Sequence, residues 1–162
     1  MQIIRAGSQH AQQVADIYNY YIDNTVITFE TEKISGDEMA KRIAGKQKQH
    51  EWLVLEDEGQ VMGYAYYGTF RERVAYNSTV ESTIYLRHGQ SGRGYGKLLY
   101  AELLNDAVAK GYREIIGGVA LPNDSSVQLH EKLGFKKVGH FTNVGLKFDR
   151  WIDVAFWQKS LY

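Results

Sequence analysis

The spacing of apolar and polar positions along the chain predicts helices and strands in mixed order. Apolar residues recur at helical spacing over 11–21 and 98–108, which indicates two helices with one buried face each. Segment 79–87 is rich in β-branched residues, and 52–67 contains two apolar runs around a turn, as a hairpin does. In chain order, the predicted strands are 2–5, 52–55, 61–67, 79–87, 115–120, 135–146 and 152–157.

Polar residues and glycines mark where the predicted helices begin and end. Ser8 is a candidate N-cap of the first helix, and Ser35 with Glu38 forms a capping-box pattern that opens the second. Gly111 and Gly134 suit the ends of the third helix, 97–110, and the fourth, 123–133.

The order of these elements, β-α-α-β-β-β-α-β-α-β-β, predicts an α+β (mixed α/β) fold. Its central sheet is mostly antiparallel and is flanked by helices. Strand 79–87, helix 97–110 and strand 113–120 suit one right-handed crossover between parallel strands. The chain of 162 residues fits a single domain over 1–162.

Composition excludes several functional classes. The 19 basic and 19 acidic residues balance, so no basic excess favours nucleic acid as a partner. The chain has no cysteine, and its five histidines lack metal-ligand spacing, so we expect no metal. We see no signal peptide and no run long enough to span a membrane, and we therefore expect a cytoplasmic protein.

The sharpest motif is the glycine-dense turn 89–97, GQSGRGYGK, between a predicted strand and a predicted helix. Glycines let a ligand approach the backbone closely, and a helix start offers unpaired N–H groups and a positive dipole end. The turn is therefore either a mobile connection or, as four glycines in eight residues before a helix favour, a binding site for a pyrophosphate. Three known motifs do not fit it, because a P-loop would need Gly at Ser91, a dinucleotide fingerprint Gly at Lys97, and a nucleophile elbow Gly at Arg93.

Other residues could carry chemistry, but each also has a plain structural interpretation. Glu81, inside the strand that leads to the turn, is either a general base or a carboxylate facing solvent. His130 lies between leucines on a helix, where a histidine is more often a packed residue. Arg71 and Arg73 are either part of a solvated loop or a clamp for a substrate carboxylate.

Taken together, these segments resemble the GNAT superfamily of acetyl-CoA-dependent N-acetyltransferases. The turn is similar to that family's pyrophosphate loop, [Gln/Arg]-x-x-Gly-x-[Gly/Ala], although the leading position is Ser91 and Gln90 stands one residue early. A closer resemblance, over nearly the whole chain, is to the phosphinothricin and methionine sulfoximine N-acetyltransferase branch. It rests on IYN at 17–19, TFETE at 28–32, AY at 75–76, TVESTIY at 79–85, LPND at 121–124, LHEKLGF at 129–135 and WIDVAFWQ at 151–158.

The resemblance implies roles for particular residues. Glu81 would be the general base, and His130 stands where many superfamily members carry a tyrosine as general acid. The backbone of Ile84, Tyr85 and Leu86 would pair with the pantetheine arm of acetyl-CoA. The remaining implied cofactor contacts are Gly92, Arg93, Gly94, Tyr95, Gly96, Lys97, Asn123 and Ser126. The implied substrate contacts are Phe29, Arg71, Arg73, Val74, Ala75 and Tyr76.

The implied reaction is direct acetyl transfer from acetyl-CoA to the α-amine of a small amino-acid-like substrate, in a homodimer. Exposed aromatic residues such as Tyr20, Tyr21 and Phe29 could supply the dimer interface, although core packing explains them equally well. Two alternatives stay open at this point. One is an acetyltransferase of the same fold for another amine, such as a protein N-terminus, and the other is a non-catalytic acyl-CoA-binding domain.

Overall fold

The computed structural model describes all 162 residues, and every predicted strand and helix is present in it. The strands are β1 (Gln2–Arg5), β2 (Trp52–Asp57), β3 (Gln60–Thr69), β4 (Thr79–Leu86), β5 (Glu114–Ala120), β6 (Lys136–Lys147) and β7 (Arg150–Ser160). The helices are α1 (Ala11–Asn24), α2 (Gly36–Lys46), α3 (Tyr95–Ala109) and α4 (Asp124–Lys132). No helix is both long enough and apolar enough to cross a membrane.

The two predicted helix starts have different outcomes. At α2, Ser35 Oγ accepts a hydrogen bond from the backbone N–H of Glu38 at 3.1 Å, so the predicted cap is confirmed. At the first helix the prediction was wrong, because Ser8 begins a single 3-10 turn and α1 itself starts at Ala11. Because of this extra turn, the N-cap position of α1 is His10 and not Ser8. The side chain of His10 closes the 3-10 turn, since its Nδ1 accepts a hydrogen bond from the backbone N–H of Gly7 at 2.9 Å.

All seven strands form one sheet in the order β1-β2-β3-β4-β5-β7-β6. Every neighbouring pair is antiparallel except β4 and β5, which are parallel. The parallel pairing covers only Thr79–Ser82 against Glu114–Gly117. Strand β4 continues to Leu86 in register with β3, so β4 and β5 separate in the middle of the sheet.

Around β2 the sheet is buried on both faces, which explains why Trp52–Leu55 is a continuous apolar run. Trp52 and Val54 belong to the core under α1 and α2, whereas Leu53 and Leu55 belong to the core under α3 and α4. Successive side chains of a strand point to opposite faces, so a strand between two helical layers needs apolar residues at every position.

Candidate active site

A cleft of about 510 Å³ opens where β4 and β5 separate. Its walls include Thr83–Leu86 on β4 and Gly118–Ala120 on β5. Beyond Ser82, the edge of β4 that faces β5 has no strand partner. An extended, amide-containing ligand can pair with such an edge as an added strand would, and the family resemblance implies this pairing for the pantetheine arm of acetyl-CoA.

The glycine-dense turn closes one end of this cleft and forms the N-terminus of α3. Gly92 and Gly94 have φ of 80° and 81°, a left-handed conformation that favours glycine. Gly94 is the N-cap and offers no side-chain hydrogen bond. The N–H groups of Tyr95–Lys97 have no acceptor within the protein, since the first helical bond comes from Leu98 N–H to Gly94. Free donors and the positive end of the helix dipole together suit a phosphate.

Most of the predicted cofactor residues meet at this cleft. Arg93 is exposed and does not line it, and Tyr95 packs its side chain against the core beneath α3. Ser91, the residue that departs from the family's motif, does line it. The predicted residues that line the cleft are Ile84, Tyr85, Leu86, Gly92, Gly94, Gly96, Lys97, Asn123, Ser126 and His130.

The start of α4 forms the far wall of the cleft, and its polar residues bond to one another. Asn123 Oδ1 accepts from the N–H of Ser126 at 3.3 Å and from the hydroxyl of Ser125 at 3.2 Å. Asn123 is therefore the N-cap of α4, as its position before the helix suggests. This cap fixes the α4 end of the cleft wall.

His130 lines the cleft but is only 3% exposed, and both of its ring nitrogens face protein groups. Nδ1 lies 2.7 Å from the carbonyl oxygen of Ser126, which can only accept, so the neutral ring carries its proton on Nδ1. Nε2 lies 3.2 Å from the hydroxyl of Tyr100, which in turn lies 2.5 Å from Ser82 Oγ. Burial lowers the pKa of His130 from its usual value, although the Ser126 carbonyl opposes that shift.

Gly117 makes room for this hydrogen-bonded chain. A Cβ built on Gly117 would lie 2.4 Å from His130 Nε2. Sequence analysis identified His130 but missed Ser82 and Tyr100, because a serine within a strand and a tyrosine among helical core positions are typical packing residues. Ser82 lines the cleft, so the chain reaches from its wall to the buried imidazole.

Glu81 lies on β4, one residue before Ser82, and points to the opposite face of the sheet. Its pKa is raised, first because burial disfavours the charged carboxylate, while Lys46 and Arg71 act in the opposite direction. Glu81 forms no ion pair. A half-buried carboxylate with a raised pKa is a suitable proton acceptor near neutral pH.

The segment before β4, 70–76, lies outside the cleft. The Arg71 guanidinium lies over the rings of Phe70 and Tyr76, at 5.1 and 5.8 Å from their centres. Arg73 and Val74 are exposed, and Ala75 with Tyr76 completes a short 3-10 turn. Of these residues, only Arg71 affects the pKa of Glu81, which its positive charge lowers.

Phe29, the remaining predicted substrate residue, is exposed and packs on Gly145 of β6. A Cβ built on Gly145 would lie 2.4 Å from the Phe29 ring, so the glycine is needed for this contact. The structure contains no group of three or more His, Asp or Glu side chains arranged to hold a metal ion.

The comparisons with known proteins point to one family. Residues 4–156 match the acetyltransferase (GNAT) domain family. The chain is 41% identical over 160 residues to a phosphinothricin N-acetyltransferase of Streptomyces viridochromogenes, covering 99% of this chain and 87% of that relative. It is 30% identical over 162 residues to an L-methionine sulfoximine/L-methionine sulfone acetyltransferase of Salmonella typhimurium, covering 99% and 95%.

A solved structure agrees with these matches. The phosphinothricin acetyltransferase of Sinorhizobium meliloti, crystallised in complex with acetyl-CoA, superposes with a TM-score of 0.93 at 35% identity, covering 98% of this chain and 87% of that one. The separated strands, the glycine-rich helix start and these matches agree, and the chain belongs to the GNAT family of acetyltransferases.

Proposed function

We propose that this enzyme transfers the acetyl group of acetyl-CoA to the α-amine of a small amino acid of the phosphinothricin or methionine sulfoximine type. The observation that carries the proposal is the position of Glu81, immediately beside the point where β4 leaves β5 and the cleft begins. The relatives that act on such amino acids, at 41% and 30% identity over nearly the whole chain, support the substrate class.

The cleft fits acetyl-CoA in two independent respects. The free edge of β4 at Ile84–Leu86 would pair with the pantetheine arm, and the unpaired N–H groups of Tyr95–Lys97 would hold the pyrophosphate. Asn123 and Ser126 on α4, with Gly92 and Arg93 in the turn, would complete the contacts. Acetyl-CoA supplies an acetyl group activated as a thioester.

Glu81 would act as the general base, directly or through one water. The α-amine of a free amino acid is almost entirely protonated at pH 7, so it must lose a proton before it can attack the thioester. A positioned base that accepts this proton contributes roughly 10²–10⁴-fold to the rate. Attack would be direct, because the chain has no cysteine and no recognisable Ser-His-Asp arrangement to form an acyl-enzyme.

His130 would supply the proton that the leaving sulfur takes up, and it can do so only as the imidazolium, because the neutral ring carries its one proton on Nδ1 against the Ser126 carbonyl. The imidazolium would give its Nε2 proton to Tyr100 and return to the neutral form. Since both of its ring nitrogens face protein groups, we propose that the proton reaches the cleft by way of Tyr100 and Ser82. A chain of hydroxyls can pass a proton along without moving the buried imidazole.

Arg71 and Arg73 would bind the substrate carboxylate, with Phe29 and Val74–Tyr76 forming the rest of the entrance. Arg71 is the better candidate of the two, because its charge lowers the pKa of Glu81 and it therefore lies near the proposed base. An amino acid held there would place its amine beside the base.

The deciding experiment is release of free thiol from acetyl-CoA by the purified protein. The acceptors are L-phosphinothricin, L-methionine sulfoximine, L-methionine sulfone, an aminoglycoside and a short peptide, with Glu81→Gln as the control variant. We expect turnover with the first three and its collapse in the variant. Turnover with the peptide alone would favour a protein N-terminus as the acceptor. Binding of acetyl-CoA with no turnover at all would favour a non-catalytic domain.

We also propose that the enzyme works in the cytoplasm, where acetyl-CoA is available, and that it is a homodimer. Large apolar side chains stand out on β6 and β7, among them Phe141, Leu146 and Trp151, which is 64% exposed. Tyr20 and Tyr21 are less suitable as an interface, since both are only partly exposed and Tyr21 donates to the carbonyl of Leu86 at 2.6 Å. Light scattering of wild type and Trp151→Glu tests this proposal, and a wild-type monomer would contradict it.

A further inference from the structure

A second cavity, of about 360 Å³, lies between α2 and the face of β2 and β3 that carries Trp52 and Tyr66. We call it the α2 cavity. Arg42, Lys46 and Glu30 also line it. Its volume is in the range of small-molecule sites, and its lining combines aromatic rings with a few charged groups, as such sites do.

The indole ring of Trp52 forms one wall of the α2 cavity. Trp52 is 3% exposed and stacks on Tyr66, with ring centres 4.0 Å apart. Its Nε1 has no hydrogen-bond partner in the protein and is closed off from the cavity as well as from solvent, so the indole offers a ligand its ring and not its N–H. The stacked rings suit the carbon chain of a ligand.

The charges of the cavity leave one cation free. Arg42 donates two hydrogen bonds to the Glu30 carboxylate, at 2.9 and 2.8 Å, so these two charges compensate each other. Lys46 is half-buried and belongs to none of the ion pairs of the structure. Its ammonium lies 5.4 Å from the centre of the Tyr66 ring. A free ammonium in an aromatic cavity favours an anion.

Lys46 also lies close to the proposed base. Gly68 on β3 pairs directly with Glu81 on β4, and Lys46 Nζ occupies the space above this glycine, 2.7 Å from where a Cβ would stand. Side chains at directly paired positions start about 4.5–5.5 Å apart. One small substrate can therefore reach both the carboxylate of Glu81 and the ammonium of Lys46.

We propose that the α2 cavity receives the side chain of the acceptor amino acid, that Lys46 Nζ binds its terminal oxygens, and that the rings of Trp52 and Tyr66 contact its carbon atoms. This proposal rests on the proposed function. With the amine at Glu81 and the carboxylate towards Arg71, the third substituent of the α-carbon extends towards α2. The cavity then selects amino acids whose side chain ends in an oxyanion such as a phosphinate, and accepts neutral oxygens such as those of a sulfone less strongly.

The test compares two substrates across matched variants. Lys46→Met removes the charge and keeps the stem, Lys46→Arg keeps the charge, and Lys41→Met is the control on the exposed side of the same helix. We expect Lys46→Met to raise KM about tenfold for L-phosphinothricin, whose side chain is anionic, but only about twofold for L-methionine sulfone. KM for acetyl-CoA should not change, and Lys46→Arg should restore most of the affinity for L-phosphinothricin.

A second measurement separates this proposal from the proposed function. Calorimetric binding of dimethylphosphinate, which has no amine to acetylate, should be measurable in the wild type and lost in Lys46→Met. If the wild type turns over no amino acid, the proposed function fails, and the dimethylphosphinate result alone decides the anion site. Equal KM changes for the two amino acids, or equal dimethylphosphinate binding in wild type and Lys46→Met, would overturn the proposal.

Discussion

The β4–β5 cleft and the α2 cavity lie on either side of Glu81, and they offer different groups to a ligand. The cleft offers backbone: a free strand edge beyond Ser82 and the unpaired N–H groups of Tyr95–Lys97. The α2 cavity offers side chains, with the ammonium of Lys46 and the indole of Trp52 among aromatic rings. Backbone donors keep their positions whatever the side chains are, whereas a side-chain site changes with a single substitution.

This difference suits a coenzyme that is always the same and an acceptor amino acid that differs between enzymes. The coenzyme is the same molecule for every acetyltransferase, so a binding site made of main chain and glycine can stay constant. The acceptor differs between enzymes, and residues such as Lys46 can be exchanged without altering the sheet. Substitutions at the backbone site should therefore change the KM for acetyl-CoA, and substitutions at the side-chain site should change the KM for the amino acid. Substitutions of Glu81 should change kcat.

The largest effect is expected for Glu81→Gln, because this carboxylate serves the chemical step between the two sites. We expect kcat to fall roughly 10²–10⁴-fold, with little change in KM for acetyl-CoA. Because burial raises the pKa of Glu81, the wild-type rate should fall as the pH drops through that raised value. Thiol release as a function of pH checks both points, and an unchanged acid limb in the variant would assign the limb to another group.

The next effect is expected at the helix start of the cleft, with a matched glycine pair. Gly94 and Gly59 have φ of 81° and 78°, and a Cβ on either meets nothing within 4 Å. An alanine in this conformation costs about 1–2 kcal/mol, so Gly94→Ala and Gly59→Ala should lose similar stability. Only Gly94→Ala should raise KM for acetyl-CoA, by roughly tenfold, since it disturbs the unpaired N–H groups of α3. Similar KM values for acetyl-CoA in both variants would show that the N-terminus of α3 does not bind the coenzyme.

The two regions also differ in how far the sequence predicts them. Three of the four glycines in segment 89–97, Gly89, Gly92 and Gly94, have left-handed φ and open space where a Cβ would stand, so packing does not explain them. Only Gly96, inside α3, packs closely on Leu129. Such a turn before a helix indicates the kind of group that the cleft holds. The strands and helices themselves follow from periodicity, since each has one or two buried faces. The error at Ser8 arose because an added 3-10 turn changes no hydrophobic pattern.

The α2 cavity could not be predicted in this way. Lys46 stands in the basic end of a helix, where lysines are usually solvated, and Trp52 begins the apolar run 52–55 of β2, where a tryptophan is a typical core residue. Their meeting depends on Gly68, which leaves space above β3. Such a site is defined by tertiary contacts between elements, and no spacing of residues along the sequence predicts it. The same holds for Ser82 and Tyr100, which meet His130 only in the folded protein.

A moderate effect on stability is expected for Tyr100→Phe, which breaks the hydrogen-bonded chain behind the cleft. His130 Nε2 would lose its only donor while it stays buried, at a cost of about 1–3 kcal/mol. For a chain of this length, each kcal/mol lowers Tm by about 2–4 °C. Tyr95→Phe is the control, because the hydroxyl of Tyr95 makes no hydrogen bond within the protein. Equal Tm values for the two variants, measured by circular dichroism, would show that the chain contributes no stability.

The smallest effect, and the one that joins the two regions, is on the stability of Glu81→Gln. The folded pKa of Glu81 lies above the unfolded value of 4.5, so the folded state binds the proton more tightly than the unfolded state. Its ionised carboxylate therefore destabilises the fold above the folded pKa, and this cost disappears below the unfolded pKa. Glu81→Gln should raise Tm slightly at pH 7 and leave it unchanged near pH 4. Thermal melts at both values check the sign, and a lower Tm at pH 7 would mean that Lys46 and Arg71 outweigh the burial of the carboxylate. An increase would show that the base is kept at a cost in stability, as expected of a residue retained for its chemistry.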